Sequence, residues 1–381
     1  MATHGRPEGL HYPRLLTLLF AAVISLPLAA NLAGIDGADP GAENRELAAF
    51  PRIDGSLAAM AEIPTAFSNW FDDHFGFRSL LVRWYGESRL FVLQVSPSAA
   101  VMKGEHGWFF YGDDKAIEDY ANAEPMTDAA LANWRAAILG ARDWLGARHI
   151  AFVFTIAPDK HVIFGDQMPG TLARVGNLSR ADQLFTALQD TGLAVDLRAA
   201  EFDAKARERV YQQTDTHWND RGALVAYQQI VNAVRARVPA TPPPWTRDDF
   251  TPVDHAIEGL DLAGMMGLTR VLREVDLTLV PTRPRRARLL EPIGGKPTDE
   301  EGRLVTEVDD PSLPRAVIFR DSFTSRLVPF LSEHFSRAVY LWQNDFDADV
   351  VSKEHPDVVI QEIVGRHLYN FILSPELVPK P

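Results

Sequence analysis

Hydrophobic and polar positions divide the chain into three stretches. The first, residues 15–35 (LLTLLFAAVISLPLAANLAGI), carries no charge, and about 20 apolar residues suffice to cross a bilayer as a helix. The second, residues 56–95, repeats Leu57, Met60, Ile63, Phe67, Trp70 and Phe71 at three- and four-residue spacing and closes at Ser96, Pro97 and Ser98. That period predicts helix. Residues 101–111 (VMKGEHGWFFY) then predict a hairpin about a glycine-containing turn.

The third stretch alternates two patterns. Residues 127–148 predict an amphipathic helix, with Thr127 as N-cap ahead of Leu131, Trp134, Ile138, Leu139 and Leu145. Residues 150–156 (IAFVFTI) form an unbroken apolar run that stops at a polar loop, Pro158-Asp159-Lys160. A strand apolar on both faces belongs in the middle of a sheet covered by helices. The alternation continues with helix 179–190, strand 193–197, helix 220–237, strand 316–319, helix 323–334 and strands 338–342 and 358–363. It predicts an α/β domain with a mostly parallel sheet flanked by helices. Residues 240–315, rich in Pro, Gly and Arg, read as an irregular excursion. The expected organisation is a stub and anchor or signal over 1–35, a helical and hairpin extension over 36–124, and the α/β domain over 125–375.

Charge sets the orientation. Arg6 and Arg14 precede the apolar run, whereas Asp36, Asp39, Glu43 and Glu46 follow it with only Arg45 among them. The positive side stays in the cytoplasm, so the body is expected to work outside it. Ala29, Ala30, Ala33 and Gly34 would also suit a signal peptidase, which leaves an uncleaved anchor and a cleaved signal both open. A formal charge of −13 argues against a nucleic-acid partner. The absence of cysteine excludes disulfides, zinc–thiolate sites and thiol nucleophiles.

No phosphate loop, dinucleotide fingerprint or HExxH is present. Two positive features remain. In residues 316–333 (AVIFRDSFTSRLVPFLSE) an apolar strand stops at Arg320-Asp321, Ser322 follows, and a helix is expected to begin. A serine there lies at the carboxyl edge of a sheet, where α/β proteins place their sites. The backbone N–H groups of Ser322 and Phe323 would be candidate oxyanion donors. A simple helix cap at Asp321 or Ser322 is the plainer alternative. The second feature is residues 211–219 (YQQTDTHWN). If Asp215-Thr216-His217 is extended, the carboxylate and the imidazole point to one face, and the histidine could serve the serine as base. The spacing is weak by itself, because Asp72-Asp73-His74 repeats it inside an expected helix.

At these residues the chain resembles the alginate O-acetyltransferase family, whose domain is SGNH-hydrolase-like. The resemblance is carried by NRELAAFPRI at 44–53, FSNWFDDHFGFRSLL at 67–81, KGEHGWFFY at 103–111, FTIAPDKHVIFGDQMP at 154–169, TDTHWNDRGA at 214–223 and RDSF at 320–323. It implies a catalytic triad of Asp215, His217 and Ser322. The Asp–His pair precedes the serine, so the domain resembles a permuted SGNH hydrolase. It implies transfer of acetyl groups, through an acetyl-serine, to hydroxyls of an exported exopolysaccharide, alginate-like or cellulose-like. A membrane acyltransferase would pass on the acetyl group within a secretion complex, with neither metal nor organic cofactor. Trp218, Arg320 and Trp342 are weaker candidates for touching the polysaccharide, and core packing is the plainer role for either tryptophan. Arg320 stands where a small residue would be expected two before the serine. An acetyl esterase using the same triad, or a non-catalytic polysaccharide-binding subunit, would fit the same residues.

Overall fold

The structure is a computed structural model that describes residues 12–33, 47–52, 57–290 and 303–371. It separates into two compact units, Met1–Ser98 with Ala263–Val271, and Ala99–Leu262 with Leu272–Pro381.

The smaller unit is helical. Helix α1, Tyr12–Leu32, is the one helix among the described residues that is long and apolar enough to cross a membrane. It overlaps the charge-free run; Arg6, the acidic residues from Asp36 to Glu46 and the end of the run at Gly34 and Ile35 lie outside the described residues. Helices α2, Leu57–Asp73, and α3, Arg78–Glu87, replace the single helical stretch expected over 56–95. They are separated by a turn in which Phe77 takes φ 62°, and α3 runs on into a π turn, Ser88–Val92. Asp73 accepts the Ala48 N–H at 2.7 Å and His74 lies against the Trp70 carbonyl, so the second Asp-x-His triplet belongs to this helical unit.

The larger unit opens with the hairpin β1, Val101–Lys103, and β2, Phe109–Tyr111. Gly107 takes φ +83° in its turn, a conformation that favours glycine. The hairpin therefore falls in the same unit as the sheet, whereas its place in the chain suggests membership of the preceding helical extension. Helices α4, Ala116–Ala121, and α5, Asp128–Gly146, lead to strand β3, Ala151–Ala157. Thr127 caps α5 by accepting the Ala130 N–H, as its position before the apolar period predicts. After β3 come α6, Lys160–Ile163; α7, Arg180–Leu188; β4, Ala194–Asp196; α8, Arg198–Lys205; and α9, Asp220–Arg235.

Residues 240–315 are more regular than expected. They contain a nine-residue antiparallel ribbon, β5, Phe250–Glu258, against β6, Arg273–Pro281, and two sheet strands, β7, Arg288–Leu289, and β8, Leu304–Glu307. Strands β9, Arg315–Arg320, β10, Arg337–Trp342, and β11, Val358–Val364, complete the sheet, with α10, Ala348–Glu354, before β11 and α11, His367–Asn370, after it.

The sheet order is β4-β3-β11-β9-β10-β8-β7. Its first five strands are parallel, and β8 and β7 add an antiparallel edge. Burial on both faces follows from the period of two along each strand. In β9, Ala316 and Ile318 join a core with α9, while Val317 and Phe319 join a second core with α5 and α7. Because the central strands are parallel, the loops after β3, β9 and β11 converge on one edge.

Candidate active site

The serine turn begins where β9 ends. Asp321 is buried; its carboxylate accepts the Phe323 N–H at 2.9 Å and the Val364 N–H at 2.7 Å, tying the turn to the end of β11. Asp321 therefore does the capping, and Ser322 Oγ is left to make a different bond. Beyond Ser322 the chain makes a four-residue 3-10 turn, Phe323–Arg326, then Val328–Leu331 and a second 3-10 turn, Ser332–His334. The continuous helix expected over 323–334 is not formed, because Pro329 interrupts the backbone donors. The oxyanion expectation changes too. The Phe323 N–H is already spent on Asp321, so it is not a free oxyanion donor, and the Ser322 N–H is the candidate that remains.

The histidine arrives on a closed loop. Tyr211 and Trp218 face each other in a β-bridge, Gln212 N–H donates to the His217 carbonyl at 3.1 Å and Asn219 N–H to the Val210 carbonyl at 3.0 Å. Asn219 then caps α9, its side chain accepting the N–H groups of Arg221 and Gly222. A Cβ at Gly222 would collide with the Val210 carbonyl oxygen, so this crossing requires glycine. Within the loop, His217 Nδ1 lies 2.6 Å from Asp215 Oδ1, and His217 Nε2 lies 2.7 Å from Ser322 Oγ. The His217 N–H also donates to Asp215 at 2.9 Å, so one carboxylate fixes both the ring and its backbone. The three residues remain partly open to solvent.

Three buried or half-buried charges hold this loop, and sequence reasoning passed over them. Lys160, the first residue of α6, is buried, and its ammonium donates to the carbonyls of Gln212 at 3.1 Å, Gln213 at 3.2 Å and Asp215 at 2.6 Å. Burial brings that ammonium down from 10.5 to about 8, against the pull of Asp261, Asp215 and Glu274. From the other side Glu274 of β6 accepts the N–H groups of Gln213, at 2.6 Å, and Thr214, at 2.9 Å. Asp261 accepts the Thr216 N–H at 2.9 Å and its hydroxyl at 2.7 Å. Burial alone would raise the Asp215 carboxyl; the hydrogen bond and charge of His217, its amide and Lys160 outweigh that and hold it below the usual range. Asp261 goes the other way, raised by burial and by the charge of Asp215.

The remaining predicted residues divide. Trp218 is fully buried and its indole N–H donates to the Phe323 carbonyl at 3.1 Å, so it braces the serine turn and offers no face to a sugar. Arg320 is 3% exposed; it donates to the Asp321 carbonyl at 3.1 Å and Ser325 Oγ at 3.0 Å, holding the same turn from within. Its guanidinium covers one face of Trp342, which is otherwise 54% exposed at the sheet edge. Behind the serine, Glu362 accepts the Thr324 hydroxyl at 2.8 Å, and burial together with the Asp321 charge pushes its carboxyl well above the ordinary range. Arg366, after β11, binds Asp159 after β3, joining two more loops of the edge.

Among the described residues, two groups bring acids and imidazoles close enough to share an ion, Asp215 with His217 and Asp261, and Asp119 with Asp159 and His161. In the first, Nδ1 is committed to Asp215 and Asp261 is committed to Thr216. In the second, His161 lies 2.8 Å from Asp119, and the Arg366 guanidinium already supplies Asp159 with a cation. Neither donor set is free for a metal.

Residues 101–347 match the family described as the SGNH hydrolase-like domain of the acetyltransferase AlgX. A probable alginate O-acetylase AlgJ of Pseudomonas putida is 33% identical over 139 residues, 35% of this chain and 34% of that protein. The corresponding protein of Azotobacter vinelandii is 26% identical over 197 residues, 49% of this chain and 47% of that one. The chain thus spans between a third and a half of the curated relatives it matches. The solved O-acetyltransferase domain of Pseudomonas putida AlgJ is 20% identical, with a TM-score of 0.48 over 71% of this chain and 92% of that one. With the match extending over well more than half of its length, the chain belongs to the family of the AlgX SGNH hydrolase-like acetyltransferase domain.

Proposed function

We propose that this protein is an O-acetyltransferase that places acetyl groups on the hydroxyls of an exported polysaccharide, with Ser322 as nucleophile, His217 as base and Asp215 as its orienting carboxylate. The observation that carries this is the unbroken relay from Asp215 Oδ1 through His217 to Ser322 Oγ, at 2.6 and 2.7 Å. With Nδ1–H donated to Asp215, Nε2 is the ring nitrogen free to take a proton from Ser322.

In the first half-reaction Ser322 Oγ attacks the carbonyl carbon of an acetyl donor while its proton passes to His217 Nε2. The bond to the leaving group then breaks, and His217 returns that proton to it. An acetyl-serine remains. In the second half, a sugar hydroxyl gives its proton to His217 and its oxygen takes the acetyl group, releasing Ser322 with its proton restored. The Ser322 N–H faces the oxyanion in both halves. General-base help contributes roughly 10²–10⁴-fold and an oxyanion donor roughly 10²–10³-fold.

The apolar helix α1 supports an anchored protein working on the periplasmic side of the inner membrane, where acetyl groups come from a membrane acyltransferase partner within a secretion complex. The relatives named as alginate O-acetylases support an alginate-like acceptor, and a neutral polymer such as cellulose suits the charge of −13. The test is to give the full chain a chromogenic acetyl ester with a panel of oligosaccharides and to follow acetyl gain on sugar by mass spectrometry. Acetylated sugar with the wild type and none with Ser322→Ala is expected. Ester cleavage without transfer to any sugar would make the protein an esterase instead.

A further inference from the structure

The smaller unit carries its apolar side chains on the wrong side for a helix in water. Along α3 and the π turn that continues it, Leu81, Trp84, Tyr85, Phe91 and Val92 recur at helical spacing, and every one is exposed. Trp84 and Tyr85 are each 56% exposed and Val92 is 76% exposed, while Gly86 and Leu90 face inward. A helix at a protein surface normally turns polar residues outward. On α2, Phe67 and Phe71 are exposed as well and stack at 6.2 Å, and Phe71 meets Phe75 at 5.6 Å. Contiguous exposed apolar surface of this kind marks a contact with a membrane or a partner.

Helix α1 decides between them. Its last turns pack on the turn joining α2 to α3: Asn31 donates to the His74 carbonyl, and a Cβ at Gly76 would run into the Pro27 carbonyl oxygen and Ala30. A helix of 21 residues is roughly 32 Å long at 1.5 Å per residue, against a hydrocarbon core of about 30 Å. If α1 spans, the α2–α3 turn is held where α1 leaves the hydrocarbon, at the level of the headgroups. The exposed stripe starts there and includes a tryptophan and a tyrosine, with Arg83 and Arg89 beside them. Amphipathic aromatic rings and arginines are what the interface between headgroups and acyl chains selects.

We propose that residues 67–95 form an interfacial collar that lies on the bilayer beside α1, with Trp84, Tyr85 and Phe91 seated at the boundary of headgroups and acyl chains. The inference rests on α1 being embedded in the membrane, as the proposed function has it.

The absence of cysteine makes the test clean, since any introduced thiol is unique. Full-length Leu19→Cys, Phe91→Cys and Val253→Cys proteins would be spin-labelled in nanodiscs of mixed neutral and anionic phospholipid. Accessibility to oxygen, which partitions into lipid, is compared with accessibility to a water-soluble nickel chelate. The label at 19, in α1, is expected to be deep, and the label at 253, on the exposed face of β5, is expected to be in water. The label at 91 should show several-fold lower nickel accessibility than that at 253, with oxygen accessibility raised toward that at 19. A deep label at 19 with a water-exposed label at 91 would overturn the collar and leave the anchor standing. Shielding of 91 from both reagents would show a protein contact, a second copy of the chain included, and would also overturn it. A water-exposed label at 19 would overturn the anchor and the collar together.

Discussion

Replacing Lys160 by methionine tests how the loop carrying Asp215 and His217 is kept in register with Ser322. The side chain keeps its apolar length and loses the ammonium. Three carbonyl oxygens, those of Gln212, Gln213 and Asp215, lose their shared donor. The Gln213 carbonyl keeps the Phe109 N–H at 3.0 Å, so two acceptors are left unsatisfied, at about 1–3 kcal/mol each. Against this, the change relieves the burial of a charge, which the fall from 10.5 to about 8 puts at about 3 kcal/mol. The balance is a net loss of about 1 kcal/mol, or roughly 2–4 °C in Tm for a unit of this size. Asp215 also loses a favourable cation, and a shift of about 1 Å in a catalytic group can cost ~10²-fold in rate. Ester turnover by Lys160→Met should therefore fall ~10–10²-fold in kcat/KM.

The pH dependence supplies a readout that packing alone would not move. The folded chain binds the Lys160 proton less tightly than the unfolded chain, so between about 8 and 10.5 the unfolded state holds more protons. Across that window this group makes stability rise with pH. Subtracting the Lys160→Met unfolding free energies from those of the wild type, pH by pH, should expose that rise. Below about 8 the ammonium is intact and the difference should be flat. A variant with an unchanged Tm and a kcat/KM within twofold of the wild type would refute the reasoning.

Glu362→Gln should stabilise the protein at neutral pH. The folded pKa lies far above the unfolded one, so the wild type loses stability as pH rises through the ordinary carboxyl range, and the glutamine does not; chemical denaturation at acid and neutral pH checks both limbs. Asn219→Ala removes the cap of α9 and should cost about 1 kcal/mol, read as a lower Tm with the secondary structure intact. Asp215→Asn should lower kcat by ~10²–10⁴-fold with little change in KM, because the imidazole loses the partner that fixes its tautomer; an equal loss in binding would point to a distorted loop instead.

Much of the fold was legible in the sequence because the central strands are buried on both faces. Runs such as residues 151–157 and 358–364 contain few polar residues to blur the pattern, and Thr127 marks its helix correctly. The excursion at 240–315 hides its strands for a physical reason. In β6 Val275, Leu277 and Leu279 alternate with polar residues, yet Val275 is exposed and Glu274 beside it is buried, and β5 is exposed along most of its length. A buried carboxylate at a core position looks polar in sequence and is recognised only through the amides it accepts. The relay was traceable from Asp215, His217 and the serine after a strand, whereas its supports were not. Lys160, Asp261 and Glu274 act on backbone groups of a loop distant in sequence, and no spacing encodes that. The helix expected after Ser322 fails because apolar spacing is blind to the missing donor of Pro329.

The most direct test of the central claim is to catch the acyl-enzyme. The full chain would be mixed with an activated acetyl ester, quenched within one turnover, digested and mapped by mass spectrometry. One acetyl group on the peptide containing Ser322, discharged when an acceptor sugar is added and absent from Ser322→Ala, is the predicted result. Turnover that leaves Ser322 unmodified, or that survives its replacement by alanine, would contradict the account.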